Sequence, residues 1–378
     1  MKIVIDSDIP FLNGAFEPYF NIVKYVKGAL LDRSTIIDAD ALIVRTRTIC
    51  NAQLLHGTKV KAIASATVGT DHIDITYCKS NSIKVFTAQG CNKGAVLQWV
   101  LSSVLTASEK FNYELKGKVF GVVGHGNIGV IVAKAAKALG MEVLICDPPK
   151  QLLEGNQTYE SLNYLAKNSD FISFHVPLTY NDSFPTFNLA NDQFFSNLKA
   201  NAFIINSARG GVVNEDLLLN AINLKGISGC AIDVWHGEPL VFEHLLQKSL
   251  IATPHIAGYS IEGKMNASTM VIDAISRFFS LSIPKQVPNP NPVEHKIQLE
   301  LPNYITNNTI NLIELFKLVY PIALDSNFFK LNSSNFEEIR NTYPLRRENE
   351  SFEVSVCNEF NAKMLNDIGF FVSSVNSQ

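Results

Sequence analysis

The sequence predicts an α/β fold: two runs of buried parallel strands alternating with helices, followed by a small α+β segment. Three observations carry this. Short, apolar, β-branched runs recur along the chain and end at polar or turn residues. One of them runs straight into a glycine-rich turn and a helical stretch. The composition then breaks at a proline cluster, Pro284–Pro292, beyond which the pattern changes.

The first strands are expected at Lys2–Ile5, Ala41–Val44, Lys61–Ala64 and Lys84–Phe86, giving an α/β domain over about the first 90 residues. Asn92–Phe111 follows, with apolar residues every three or four positions, and reads as a long helix bridging two domains. The second run places strands at Lys118–Val123, Glu142–Cys146, Phe171–His175, Ala202–Asn206, Ser228–Ile232 and Leu250–Ala252. After Ser260 a helix to about Ser280 is expected to cross back to the first domain. Pro288, Pro290 and Pro292 cannot continue a helix or a central strand, so this stretch reads as a linker. The remainder holds strand-like His295–Leu301, a helix over Asn311–Tyr320, and a late strand and helix at Phe352–Val356 and Ala362–Ile368.

Hydrophobic residues are 47% of the 378 and charged residues 18%, a composition with ample core. A net charge of -3 points to neither nucleic acid nor a membrane surface as partner. None of the six cysteines forms a CxxC pair, so neither a metal site nor a disulfide framework is indicated. With no apolar leader at the N-terminus and no run long enough to span a bilayer, a cytoplasmic location is expected.

The strongest local signal is Val119–Gly129, VFGVVGHGNIG. A strand meets Gly124-x-Gly126-x-x-Gly129, a helix over Val130–Leu139 follows, and a second strand ends at Asp147. This is the Rossmann dinucleotide pattern. Gly124 allows the tight turn, Gly126 lets a pyrophosphate approach backbone N–H groups, and Gly129 lets helix and strand pack closely. The helix N-terminus favours the phosphates, and Asn127 and Ile128 in the turn are candidate cofactor contacts. Asp147 suits ribose hydroxyls and repels a 2′-phosphate, so NAD is expected rather than NADP.

Three later strands end in polar groups: Asn206-Ser207-Ala208-Arg209-Gly210-Gly211, Asp233-Val234-Trp235-His236-Gly237-Glu238-Pro239, and Thr253-Pro254-His255-Ile256-Ala257-Gly258-Tyr259. Strand carboxyl ends are where open α/β sheets bind ligands. Oxidising a 2-hydroxy acid needs a base near neutrality, a carboxylate to orient it and a cation for the substrate carboxylate; His255, Glu238 and Arg209 suit these roles.

These segments resemble the signatures of the D-isomer-specific 2-hydroxyacid dehydrogenases over about residues 1–283. The resemblance implies catalytic roles for Arg209, Glu238 and His255, and cofactor contacts at Val176, Ser207, Ala208, Asp233 and Gly258 beside the glycine turn. It also implies a Rossmann-type NAD domain, 93–258, inserted in a flavodoxin-like substrate domain split between 1–92 and 259–284. Narrower features (Val44-Arg45-Thr46, Ala64 to Asp74, His255 to Lys264, Tyr343 to Glu348) resemble a branch of that family acting on a phosphorylated four-carbon acid. This implies substrate contacts at Arg45 or Thr46, Thr67 and Tyr259, and a C-terminal dimerisation domain, 285–378, making a homodimer. Arginine and hydroxyl donors suit a phosphate, and Arg47 adds positive charge. Arg346 or Arg347 is a candidate to reach the partner's phosphate pocket, and His236 a second titrating group near the site. Two alternatives stay open: a dehydrogenase of the same fold acting on 3-phosphoglycerate, and an NAD-sensing protein without turnover.

Overall fold

The computed structural model describes residues 1–378 except 156–157, 225, 285–296, 300–304, 307–308, 345, 357–358 and 376–378. The expected linker lies outside the described residues apart from Pro284. The chain divides into two compact units, Met1–Asn92 with Ser260–His295, and Lys93–Tyr259 with Lys296–Gln378.

The first unit holds β1 (Lys2–Asp6), β2 (Ile22–Val26), β3 (Ala41–Val44), β4 (Ala62–Ser65) and β5 (Lys84–Thr87). They form one parallel sheet in the order β2-β1-β3-β4-β5. That is the flavodoxin-like doubly wound order. β3 and β4 are buried at every position, which is why their sequences are continuous apolar runs rather than alternating ones. The helix Ile261–Phe278 returns to this sheet, capped by the Ser260 hydroxyl, which accepts from Gly263 N–H at 2.8 Å. Its Val271, Ile272 and Ile275 share a core with Ile3, Ile5, Ala62 and Ala64.

The second unit holds β6 (Val119–Val123), β7 (Glu142–Cys146), β8 (Phe171–Phe174), β9 (Phe203–Asn206), β10 (Gly229–Ile232) and β11 (Ile251–Ala252). They pair in parallel in the order β11-β10-β9-β8-β6-β7. The order reverses at β6, whose carboxyl end carries the glycine turn, so the motif sits at the topological switch point. The helix Lys93–Phe111 packs Trp99, Val100 and Val104 into the core with Phe171, Phe203 and Ile205.

The C-terminal residues add β12 (Ile297–Leu299), β13 (Ile305–Thr306), β14 (Thr309–Ile310), β15 (Phe352–Val356) and β16 (Phe371–Val375). β12, β15 and β16 form a small parallel sheet, and β13 and β14 an antiparallel pair. This region was expected to stand as a third domain. It groups with Lys93–Tyr259 in the second compact unit. The reason is packing: Leu315, Phe316, Val354 and Phe370 share the core of Trp99, and Phe329 and Phe336 share that of Trp235.

Candidate active site

The three glycines do three different things. Gly124 has φ +91°, and a Cβ there would stand 2.6 Å from the His175 carbonyl oxygen. A Cβ on Gly129 would stand 1.9 Å from the Gly124 carbonyl oxygen, so helix and turn touch there. Gly126 is the opposite case: no protein atom lies within 4 Å of the built Cβ. It caps the helix Asn127–Ala138, whose first-turn N–H groups have no capping side chain. Asp147 closes β7, and its carboxylate accepts from His125 N–H at 2.7 Å and Lys150 N–H at 3.0 Å. It therefore ties the glycine turn to the strand carrying the expected ribose acceptor. Val176 follows β8, with Cγ1 2.7 Å from the built Gly124 Cβ. Ser207, after β9, has a buried hydroxyl oxygen with no hydrogen-bond partner, as expected of a group awaiting a ligand. An open cradle at a helix N-terminus, a terminal acid and an orphaned hydroxyl suit a dinucleotide.

Arg209, Glu238 and His255 come from the carboxyl ends of β9, β10 and β11, which are neighbours in the sheet. Asn206 staples the first of these loops, accepting from Ala208 N–H at 3.1 Å and donating to the Arg209 carbonyl at 3.1 Å. Gly210 lets this loop lie against the next: a Cβ there would stand 2.0 Å from the Trp235 carbonyl oxygen. Arg209 is half-buried and donates from Nη1 to the Ala208 carbonyl at 2.8 Å.

His255 has φ +58°, a left-handed conformation uncommon outside glycine. The surroundings impose it. Its N–H donates to the Asp233 carbonyl at 2.7 Å, and the buried Asp233 carboxylate accepts from Ile256 N–H at 2.8 Å and Ala257 N–H at 2.9 Å. Thr253 Oγ1 donates to the same carboxylate at 2.5 Å and accepts from Trp99 Nε1 at 3.0 Å. Burial raises the Asp233 pKa, with the His255 charge and these donors opposing it. Asp233, expected beside the cofactor, also anchors the histidine loop.

Glu238 Oε2 lies 2.8 Å from His255 Nδ1, and Oε1 accepts from Trp235 N–H at 2.9 Å. Burial pushes the Glu238 pKa up, but the His255 bond and charge, the Trp235 N–H and the Arg340 charge together hold it below the usual carboxylate range. An ionised carboxylate only accepts, so Nδ1 is the donor and Nε2 carries the lone pair of the neutral ring. With its side chain 28% exposed, that ring is reachable. His236 is exposed, and its backbone N–H, at 2.6 Å from Glu215 Oε1, is what ties it down.

The expected phosphate contacts lie in the first unit. Arg45 follows β3 and donates to the Asp8 carbonyl at 3.1 Å, with Thr46 exposed beside it. Thr67 follows β4, its hydroxyl 2.6 Å from Ser65 Oγ and 3.1 Å from the Gly69 carbonyl. Sequence reasoning missed Lys264, in the helix Ile261–Phe278, whose pKa is pushed down to about 8 by burial and by the nearby Arg45 charge. Gly258 and Tyr259 close the histidine loop, and the Tyr259 hydroxyl accepts from Arg340 Nε at 3.1 Å. Arg346, one of the two candidates for a partner's phosphate pocket, is held within its own chain. Its guanidinium donates to Gln98 Oε1 at 3.0 Å and to the carbonyls of Ile256 at 3.0 Å, Ala95 at 3.0 Å and Ala257 at 2.5 Å. It also covers the Tyr320 ring at 4.2 Å. All its nitrogens are engaged within the chain, where they brace the loop after His255.

The family described as D-isomer specific 2-hydroxyacid dehydrogenase, NAD binding domain, matches residues 94–257. The erythronate-4-phosphate dehydrogenase of Bacteroides thetaiotaomicron is 43% identical over 358 residues, 94% of this chain and 99% of that protein. This chain belongs to the erythronate-4-phosphate dehydrogenase family. It is an NAD-dependent dehydrogenase. The family's Porphyromonas gingivalis member is 36% identical over 374 residues, 98% of this chain and 100% of that one. Among solved structures, D-lactate dehydrogenase from Aquifex aeolicus, complexed with NAD and lactic acid, is 26% identical with a TM-score of 0.58. It covers 74% of this chain and 95% of its own, leaving about a quarter of this chain unmatched. Among the described residues no helix is long and apolar enough to cross a membrane, and no cluster of side chains suits a metal.

Proposed function

We propose that the protein oxidises 4-phospho-D-erythronate with NAD to 2-oxo-3-hydroxy-4-phosphobutanoate and NADH, a step toward pyridoxine 5′-phosphate. The observation that carries this is the His255–Glu238 pair, at 2.8 Å, in a chain akin to erythronate-4-phosphate dehydrogenases over almost its whole length.

NAD, when bound, supplies the hydride acceptor. Its pyrophosphate suits Gly124, Gly126, Asn127, Ile128 and Gly129, and its adenosine ribose suits Asp147. Val176, Ser207, Ala208 and Asp233, which follow β8, β9 and β10, and Gly258, in the loop after His255, would make the remaining cofactor contacts. The substrate's C2 hydroxyl gives its proton to His255 Nε2 as the C2 hydrogen leaves with its electron pair. The Glu238 carboxylate then stabilises the imidazolium through Nδ1–H. The planar fork of Arg209 holds the substrate carboxylate. Arg45, Thr46, Thr67 and Tyr259 supply cationic and hydroxyl donors for the rest of the substrate, and Lys264 adds charge beside Arg45.

The C-terminal region would join two copies. In support, the helix Ile322–Leu331 exposes Leu324, Phe328 and Leu331, spaced along one face. Sedimentation as a monomer at working concentration would count against the homodimer. A cytoplasmic location is supported by Cys50, Cys78, Cys146 and Cys230, which are buried and free.

The test is NADH formation with 4-phospho-D-erythronate beside 3-phosphoglycerate, D-lactate and D-glycerate, with and without 2-oxoglutarate to reoxidise tightly held cofactor. A clear preference for the four-carbon phosphate supports the proposal. Preference for phosphoglycerate would overturn the substrate, and NADH binding without turnover would favour a sensor.

A further inference from the structure

Arg340 lies in the short helix Phe336–Thr342, a part of the chain with no recognised place in the chemistry. Its Nε–H donates to the Tyr259 hydroxyl at 3.1 Å, and its guanidinium carbon lies 5.9 Å from the centre of that ring. Its charge also acts on Glu238, the partner of His255. The residue is half-buried, and among the described residues the bond to Tyr259 is its one side-chain hydrogen bond. Arg346, six positions on, shows the contrast: every nitrogen there has a carbonyl or amide acceptor in the chain. An arginine held through Nε alone keeps both terminal amino groups for a two-point grip on an anion. The substrate proposed above carries two anions. Arg209 suits the carboxylate, and a phosphate dianion has three more oxygens to satisfy.

We propose that Arg340 is a substrate-binding residue whose terminal amino groups grip the phosphate, so that the C-terminal region contributes to phosphate specificity in its own subunit. This rests on the substrate reading above. The bond to Tyr259 sets the direction of the fork, and the ring face screens the cation from water on one side.

The experiment compares wild type with Arg340→Gln and Arg340→Lys in two assays. The first is kcat/KM for 4-phospho-D-erythronate against D-erythronate, which lacks the phosphate. Loss of charged hydrogen bonds predicts a roughly 10- to 150-fold fall with the phosphorylated acid for Arg340→Gln. The fall with D-erythronate is expected to stay within about threefold, and Arg340→Lys, keeping charge without the fork, to lie between. Equal losses with both acids would overturn the proposal and leave Arg340 as a prop for Tyr259. The second assay titrates NADH-loaded enzyme with inorganic phosphate by calorimetry. Here Arg340→Gln is expected to weaken binding about tenfold or more, and unchanged affinity would overturn the proposal. Failure of wild type to oxidise 4-phospho-D-erythronate would sink the substrate reading instead, while the phosphate titration would still decide the role of Arg340.

Discussion

At the scale of single residues, the proposed catalytic pair, His255 and Glu238, depends on groups that hold it rather than on its own two side chains. Glu238 sits in the tight turn after β10, and the half-buried Glu215 accepts the His236 N–H of that turn at 2.6 Å. Burial raises the Glu215 pKa to about 7; the His236 N–H opposes this, while the charges of Asp216 and Glu238 add to it. Its folded pKa thus exceeds the ordinary 4.5. Between those two values the folded protein keeps a proton that the unfolded chain releases. Stability therefore falls as pH rises through the window and is level above it. Glu215→Gln keeps an acceptor for His236 without titrating. It should melt higher relative to wild type at about pH 8 than at about pH 4. A constant difference across that range would contradict the burial of a titrating carboxyl. The roles proposed for Arg209, Glu238 and His255 could be read from the sequence because each lies in a short run whose neighbours also carry meaning. Those of Arg340 and Lys264 could not, because what matters is a contact from a distant part of the chain: Tyr259 for one and Arg45 for the other.

Elements were legible where burial on both faces makes a strand continuously apolar. β3, β7 and β15 fall on their expected bounds. β2 was missed because it lies at the sheet edge and mixes exposed and half-buried positions, so its sequence, IVKYV, gives no clean period. The helices Ile322–Leu331 and Phe336–Thr342 were missed because they are short and their buried Phe329 and Phe336 pack on distant partners such as Trp235. The glycine turn offers a test at this scale, because its glycines are required for different reasons. Gly129→Ala meets the Gly124 carbonyl and should lower the melting temperature by several degrees, about 1–3 kcal/mol of overpacking. Gly126→Ala meets no protein atom, so it should melt like wild type yet bind NAD at least about tenfold more weakly. Calorimetric melts and NADH titration check both. Unchanged NADH affinity in Gly126→Ala would remove that cradle from the cofactor site.

For the whole molecule, the order of the two sheets and the return of the helix Ile261–Phe278 to the first unit followed from strand–helix alternation and the family resemblance. The place of the C-terminal region did not. Composition marked a break at the prolines, but a break says nothing of what the following faces will pack on. Leu315, Phe316 and Phe370 bury with the helix Lys93–Phe111, and Arg346 fastens Ala95 and Gln98 of that helix to the carbonyls just past His255. The proposed base, His255, is thereby braced by residues near both ends of the second unit. The most direct measurement is single-turnover NADH formation, with NAD-loaded wild type and His255→Ala each mixed with saturating 4-phospho-D-erythronate. His255→Ala is expected to be slower by roughly 100- to 10,000-fold, with NAD affinity nearly unchanged. Rates within about threefold of each other would contradict His255 as the base.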